Sequence, residues 1–399
     1  MEGVATGKKK PSHTAGQQRR PGCVGRDIPL STSNEEAIMA KTFSSHRAGA
    51  MQVRFVYLFL ILLLISPQGA EAKQVKLKVA SHYSIDHPLI GVPLARLKEE
   101  VERASENAIS IEIFDNGRLA TDFEMADAVS SGKADMGITA SQIFVGKAPA
   151  LAILDLPFLF NFKALVEAAA KPEGEIRKLI DEALVAKAGM RSLLWQPLGD
   201  THFYSKGRDV ADVAQLKGQR VAVPGKALEE FVERCGGIPT TLATNDFHDA
   251  IKAGKVDMAL MILGSNETLR LWKVQDTVTL TAHAPVEFLL VINEKRWQSL
   301  SQDQRIIMTR AARIVEREGR ARVASIDKAA ERFAIEKGMK LVHPTPDQVA
   351  EWRACSATML ADYMDRNGEH ARKLMAAYGR LRKDACCTTM PGDDRFTRR

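Results

Sequence analysis

The run AVSSGKADM at residues 128–136 returns as AIKAGKVDM at residues 250–258. Both follow the pattern Ala-[Val/Ile]-x-x-Gly-Lys-x-Asp-Met. Each closes a helical stretch and leads into an apolar run, Gly137-Ile138-Thr139 in the first and Ala259-Leu260-Met261 in the second. Glycine ends a helix because it takes left-handed backbone without strain. The apolar run that follows reads as a strand entering a core. Two such units about 120 residues apart are spaced too widely for a solenoid. They predict two similar lobes. Asp135 and Asp257 are expected to be structural, fixing the turn into each strand by local hydrogen bonds.

Upstream of the first unit, Lys76-Leu77-Lys78-Val79-Ala80 alternates polar and apolar residues, as a strand does. A loop with His82, Tyr83, Asp86, His87 and Pro88 follows. Leu94, Leu97, Val101 and Ala104 then recur at helical spacing, and Ser110 to Phe114 is a second strand run. This β-α-β order predicts an α/β chain with a largely parallel sheet. Ligands of such folds bind beyond the carboxyl ends of the strands, here in the cleft between two lobes that close about a hinge.

Downstream, Ser301-Gln302-Asp303-Gln304 is a capping box. It opens a helix expected to run to about Lys337, with Gly319 as a place to bend. At about 1.5 Å per residue the helix spans about 50 Å, enough to run along both lobes. Thr345-Pro346-Asp347-Gln348 opens a C-terminal helix pair, split near Asn367-Gly368.

The N-terminal part reads differently. Residues 51–72, MQVRFVYLFLILLLISPQGAEA, hold a basic start, an unbroken apolar run of 11 from Phe55 to Ile65, and a small-x-small end at Ala70-Glu71-Ala72. This is the plan of a secretory signal peptide. The run is shorter than the roughly 20 residues of a comfortable span, although an uncleaved anchor is the alternative. Residues 1–50 are polar and show no apolar period, so they read as a disordered extension or an over-extended start ahead of Met51. Residues 388–399 read as a disordered tail.

The chain carries 56 Lys and Arg against 49 Asp and Glu. Eight basic and four acidic residues fall in the first 50, which leaves Lys73 to Cys387 near +2. No basic footprint for nucleic acid results. Five cysteines show neither CxxC nor Cys/His metal spacing. Cys235 with Cys355 is the one pair worth testing as a disulfide, the alternative being two buried thiols.

No P-loop, GxGxxG, GxSxG or HExxH occurs. His82 and His87 share a loop without a third metal ligand at useful spacing. His202 lies near Asp200 without a nucleophile. Neither a catalytic set, a metal nor a cofactor is therefore expected.

Several stretches together carry a family resemblance. Glu112 to Leu119 (EIFDNGRL), Leu154 to Phe160 (LDLPFLF), Leu216 to Pro224 (LKGQRVAVP) and Asn293 with Trp297 and Leu300 resemble, in order, the DctP-like solute-binding proteins of TRAP transporters. The resemblance covers Lys73 to about Lys383. It implies a two-lobed periplasmic-binding-protein type II-like fold of class α/β, with a hinge and a long lobe-spanning helix. It also implies a monomeric periplasmic receptor that captures a small organic solute, usually an organic acid, and delivers it to the membrane permease subunits. Lobe I is assigned residues 73–198 plus 285–335, and lobe II residues 199–284 plus 336–387. A sensory ligand-binding protein and a periplasmic enzyme on the same fold are the alternatives.

The resemblance implies an Arg that grips a ligand carboxylate with two hydrogen bonds. Here that place holds Ala222, with Arg220 about 7 Å further from the ligand end of the strand. A second Arg place holds Gly199-Asp200-Thr201, and a polar segment is replaced by Asp257-Met258-Ala259-Leu260-Met261-Ile262. A buried carboxylate without a cation is costly, so the ligand is expected not to be held as a typical dicarboxylate is. The candidate ligand-binding residues are His82, Tyr83, Ser141, Gln142, Trp195, Thr201, His202, Ala222, Pro224, Lys226, Met261 and Asn266.

Overall fold

The computed structural model describes residues 74–160 and 163–388. The candidate signal segment, the extension before it and the tail beyond residue 388 lie outside the described residues. In chain order the elements are β1 (Val75–Ser81), α1 (Gly91–Ala104), β2 (Ile109–Phe114), α2 (Met125–Ser131), β3 (Met136–Ala140), α3 (Lys163–Ala169), α4 (Glu175–Ala183) and β4 (Met190–Ser205). Then come β5 (Arg220–Val223), α5 (Lys226–Arg234), β6 (Ile238–Thr241), α6 (Phe247–Lys252), β7 (Met258–Ile262), α7 (Ser265–Thr268), β8 (Thr277–Thr279) and β9 (Pro285–Asn293). The chain ends with α8 (Glu294–Gln298), α9 (Gln302–Glu336), β10 (Lys340–Val342) and α10 (Pro346–Thr388).

The strands lie in the order β2-β1-β3-β9-β4-β7-β5-β6, with β8 and β10 branching from β4. The internal repeat is visible in this order. β1, β2 and β3 form one parallel triplet, and β5, β6 and β7 form another. Each triplet is extended by an antiparallel strand, β9 beside β3 and β4 beside β7. β4 and β9 also pair with each other. The 16-residue β4 therefore belongs to both halves, and with β9 it forms the two-stranded crossing on which the lobes are hung.

The two Gly-Lys-x-Asp-Met units stand before β3 and β7, the strands of the two triplets that lie next to the crossing pair β9 and β4. Gly132 and Gly254 have φ of +83° and +68°, the backbone that ends each helix. Asp135 accepts the backbone N–H of Lys78 in β1 at 2.8 Å and faces the Arg296 guanidinium at 3.0 Å. Asp257 accepts the backbone N–H of Arg220 in β5 at 3.0 Å and its guanidinium at 2.6 and 3.0 Å. The two aspartates thus bind across to the neighbouring strand, rather than making the local turn bonds expected from sequence. Each carboxylate fixes the register of its triplet, and in lobe II it also occupies Arg220.

α9 is 35 residues long and starts on the reciprocal bonds of Ser301 and Gln304. Its first half packs Met308, Ala311, Ala312 and Val315 into the core of the first triplet, with Leu77, Leu94 and Leu290. Its far end packs Ala334 into the core of the second, with Ala222, Phe247 and Ala259. Gly319 is set by a close approach: a Cβ there would stand 2.3 Å from Oε1 of the fully buried Gln196. Gly319→Ala is expected to cost about 1–3 kcal/mol in urea unfolding, as overpacked cores do. An unchanged midpoint would show that Gln196 moves aside freely.

α10 is two helices joined at Gly368, whose φ of 55° and ψ of −126° are not helical. The first segment lies on the second half of the chain, where the Trp352 indole donates to Ala211 O at 2.9 Å. The second lies on the first half, where Tyr378 donates to Leu159 O at 2.8 Å. Cys235 and Cys355 form a disulfide with a Cα–Cα distance of 5.2 Å.

Candidate functional site

Between the two triplets lies a cavity of about 410 Å³, within the range of small-molecule sites. The loop after β1 brings His82, Tyr83 and His87. The segment between β2 and α2 brings Asp122 and Phe123. Gln142 and Ile143 follow β3 on the same side. The opposing half supplies Pro224 at the end of β5, Thr244 and Asn245 after β6, Met261 and Ile262 of β7, and Ser265 of α7. Leu198 and Thr201 of β4 and Val286 and Phe288 of β9 form the floor along the crossing strands. The site therefore follows the general rule that α/β folds bind beyond the carboxyl ends of their strands.

Three contacts bridge the halves here. The Tyr83 hydroxyl is 3.4 Å from Thr244 Oγ1. Asn245 Nδ2 is 2.9 Å from His82 Nε2. The Gln142 side chain lies against Gly225, where a Cβ would come within 2.8 Å of it. The most buried carboxylate in the lining is Asp122, 8% exposed. It accepts from the Tyr83 hydroxyl at 3.0 Å and from the Thr139 hydroxyl at 2.9 Å. Burial raises the Asp122 carboxyl above its ordinary range, opposed by the charge of His82 and by these donors. Burial and then the Asp122 charge hold the Tyr83 hydroxyl well above its usual value. Burial lowers His87.

Of the twelve candidates from sequence, His82, Tyr83, Gln142, Thr201, Pro224 and Met261 line this cavity. The structure puts the other six elsewhere. Ala222 is fully buried in the core of the second half, so the cavity starts two residues later, at Pro224. Trp195 is fully buried in the core, with its indole donating to Ser192 Oγ at 2.9 Å and the Arg177 guanidinium 5.1 Å over its ring. His202 is buried on β4 and accepts from the Ala282 N–H at 3.3 Å. Asn266 is fully buried and donates to Met339 Sδ at 3.1 Å. Lys226 is exposed and paired with Glu229 at 2.9 Å.

Ser141 is buried and bonds to Asp155, which comes from the LDLPFLF stretch. Burial pushes the Asp155 carboxyl from 3.8 up to about 7. Its raised value favours the neutral form in the folded protein. The associated stability is complete below the ordinary carboxylate range and is lost as pH rises toward 7. Asp155→Asn is therefore expected to gain stability relative to wild type at pH 8 compared with pH 4, read by urea unfolding at both values. An equal difference at the two pH values would refute it.

Asp122 and the Thr244-Asn245 pair were not singled out from sequence. Asp122 stands just before a helix, where Asp is common for local reasons, and its opposition to Tyr83 is a long-range fact.

The chain matches the bacterial extracellular solute-binding protein family 7, DctP, over residues 80–367. It belongs to this family. A solute-binding protein of Roseobacter denitrificans is 26% identical over 283 residues, covering 70% of this chain and 84% of that one. The C4-dicarboxylate-binding periplasmic protein DctP of Rhodobacter capsulatus is 23% identical, covering 63% and 74%. Among solved structures, a Bordetella pertussis extracytoplasmic solute receptor binding pyroglutamic acid superposes with a TM-score of 0.72 at 21% identity, over 76% of this chain and 99% of that one. A TRAP periplasmic solute-binding protein of Chromohalobacter salexigens with bound D-glucuronate gives 0.71 at 21%, over 77% and 99%. The two-lobed periplasmic-binding-protein fold expected from sequence is thus present. The chain described here is thus a solute-binding protein of the bacterial extracellular family 7.

Proposed function

We propose that this DctP-family protein works in the periplasm, captures one small organic solute in the cavity between its lobes, and presents the closed form to the permease subunits of a TRAP transporter. Lobe I is assigned residues 73–198 with 285–335 and lobe II residues 199–284 with 336–387, except that the second segment of α10, beyond Gly368, packs on lobe I through His370–Leu179 and Tyr378–Leu159. The observation that carries the reading is the placement of one cavity at the crossing of β4 and β9, bridged by Tyr83–Thr244 and His82–Asn245. A ligand that touches both halves favours the closed arrangement by its extra contacts there. His82, Tyr83, Gln142, Thr201, Pro224 and Met261 are the ligand-facing residues in this reading, joined by Asp122, Thr244 and Asn245.

Protein purified from periplasm and examined by native mass spectrometry is expected to release a small molecule on denaturation. Adding that molecule back at about 100 times its Kd should raise stability by about 2.7 kcal/mol. Protein that purifies empty and shows no thermal shift against a broad panel of small solutes would count against capture.

A further inference from the structure

The ionisable side chains lining the cavity are His82, Tyr83, Asp86, His87 and Asp122, and among the described lining residues there is neither a lysine nor an arginine. Two basic side chains near the end of β5 are used elsewhere: Arg220 is held by Asp257 and Lys226 by Glu229. Asp86 is exposed. His87 accepts the Leu89 N–H at Nδ1, 3.3 Å away, and burial lowers it, so it faces the space as a neutral ring. The Tyr83 hydroxyl, held well above its usual value, keeps its proton. His82 and Asp122 remain, and they face one another: the charge of His82 opposes the effect of burial on the Asp122 carboxyl.

Asp122 meets His82 and Tyr83 from the loop after β1 and Thr139 from β3. The opposing half reaches the same two loop side chains with Thr244 and Asn245, which carry no charge. His82 Nδ1 is buried without a hydrogen-bond partner. An imidazole and a carboxyl set this way titrate as one pair. With one titrating proton the pair has no net charge, whether that proton sits on the ring or on the carboxyl. With two it is positive, and the Asp122 carboxyl becomes a hydrogen-bond donor. A solute carboxylate entering this space brings a second negative charge toward Asp122. Two carboxylates sharing a site draw in a proton, and a buried carboxylate without a cation is costly. The second titrating proton removes both penalties.

We infer that a carboxylate solute enters this cavity together with one proton, held on the His82–Asp122 pair in place of a fixed arginine. This rests on the capture reading above and adds how the charge of the solute is balanced. The proton comes from solvent on binding and returns to it on release, and no bond of the solute changes. One proton balances one carboxylate. The rest of the wall, with Ile90, Leu198, Met261 and Phe288, is apolar. The site therefore suits a monocarboxylic acid with an apolar body better than a dicarboxylic acid.

Calorimetric titration of the intact protein tests this with butyrate, pyroglutamate, D-glucuronate and succinate, and with any acid released from periplasmic protein. Titrations in two buffers of different ionisation heat count the protons taken up. About 0.5–1 proton per bound acid is expected at pH 8, with affinity falling by up to about tenfold per pH unit from pH 7 to pH 9. Butyrate should bind about tenfold or more tightly than succinate, which carries a second carboxylate on the same chain length. Asp122→Asn, which cannot ionise, should take up fewer protons and bind the same acid more tightly than wild type at pH 9. The proton count on wild type stands even if that variant fails to fold. An acid that binds with no proton taken up and equal affinity at pH 7 and pH 9 overturns the inference while capture stands. So does an acid whose binding depends on sodium or calcium at fixed pH without proton uptake, and so does a captured solute that is not an acid. Succinate binding as tightly as butyrate overturns the single-charge match. If the protein purifies empty and no probe binds, inference and capture fall together.

Discussion

Glu316→Ala is expected to destabilise the protein by about 3–5 kcal/mol, the cost of leaving a buried charge without its partner. Glu316 lies in the middle of α9 and is 4% exposed. One oxygen holds the fully buried Arg177 at 2.6 Å, and the other accepts the Trp195 N–H at 3.3 Å and Arg313 at 3.3 Å. Arg320, one turn on, forks onto Glu287 of β9 at 3.1 Å through both of its terminal nitrogens, and bonds to Trp195 O at 3.3 Å. A single carboxylate thus joins α9 to α4 and to the crossing strand β4. Removing it leaves the Arg177 guanidinium desolvated, with only the Ala170 and Leu193 carbonyls to receive it. The double variant Arg177→Met, Glu316→Met should be less destabilised than Glu316→Ala, because an apolar pair of similar volume removes the stranded charge. Urea unfolding followed by circular dichroism checks both. A Glu316→Ala midpoint like that of wild type would mean that water reaches Arg177 and that the network carries little.

Much of this frame was legible in the sequence because it rests on local rules. The helix-Gly-strand unit announced itself twice, and the capping box at Ser301 and the cap at Thr345-Pro346 set helix starts that the structure keeps. The break at Gly368 followed from Asn-Gly in a helical pattern. What was not legible is what depends on register between distant strands. Reading along β5, Ala222 stood where an arginine was expected, but its pairing with Ala259 of β7 turns it into the core. Trp195 and Asn266 are polar enough to suggest a ligand, yet both are fully buried and bonded within the protein. Asp122 carried no signal of its own. Its place in the site comes from Tyr83, 39 residues earlier, and from Thr139, 17 residues later.

Reduction of Cys235–Cys355 is expected to lower stability by about 3–5 kcal/mol, because the bond closes a loop for which chain entropy alone predicts about 4.7 kcal/mol at about 100 residues. The two cysteines are 120 positions apart. The bond ties the end of α5 to the first segment of α10, and its surroundings are well packed. Trp352 is fully buried 5.1 Å from Phe203 and 5.7 Å from Phe231, ring to ring. Arg234 pairs with Asp362, and Arg366 forks onto Glu230 at 2.8 and 3.1 Å. These contacts keep the first segment of α10 in place when the bond is open, so the loss should fall on the unfolding equilibrium rather than on the fold. Neither cysteine lines the cavity. Solute affinity well below the unfolding transition should therefore survive reduction. The measurement is a urea midpoint with and without reductant, with Cys235→Ala, Cys355→Ala as the covalent control matching reduced wild type. Equal midpoints would show the bond to be thermodynamically idle. Loss of binding with the fold intact would instead show that α10 transmits the state of this bond to the cleft, through the joint at Gly368 where its two segments part toward different halves of the protein.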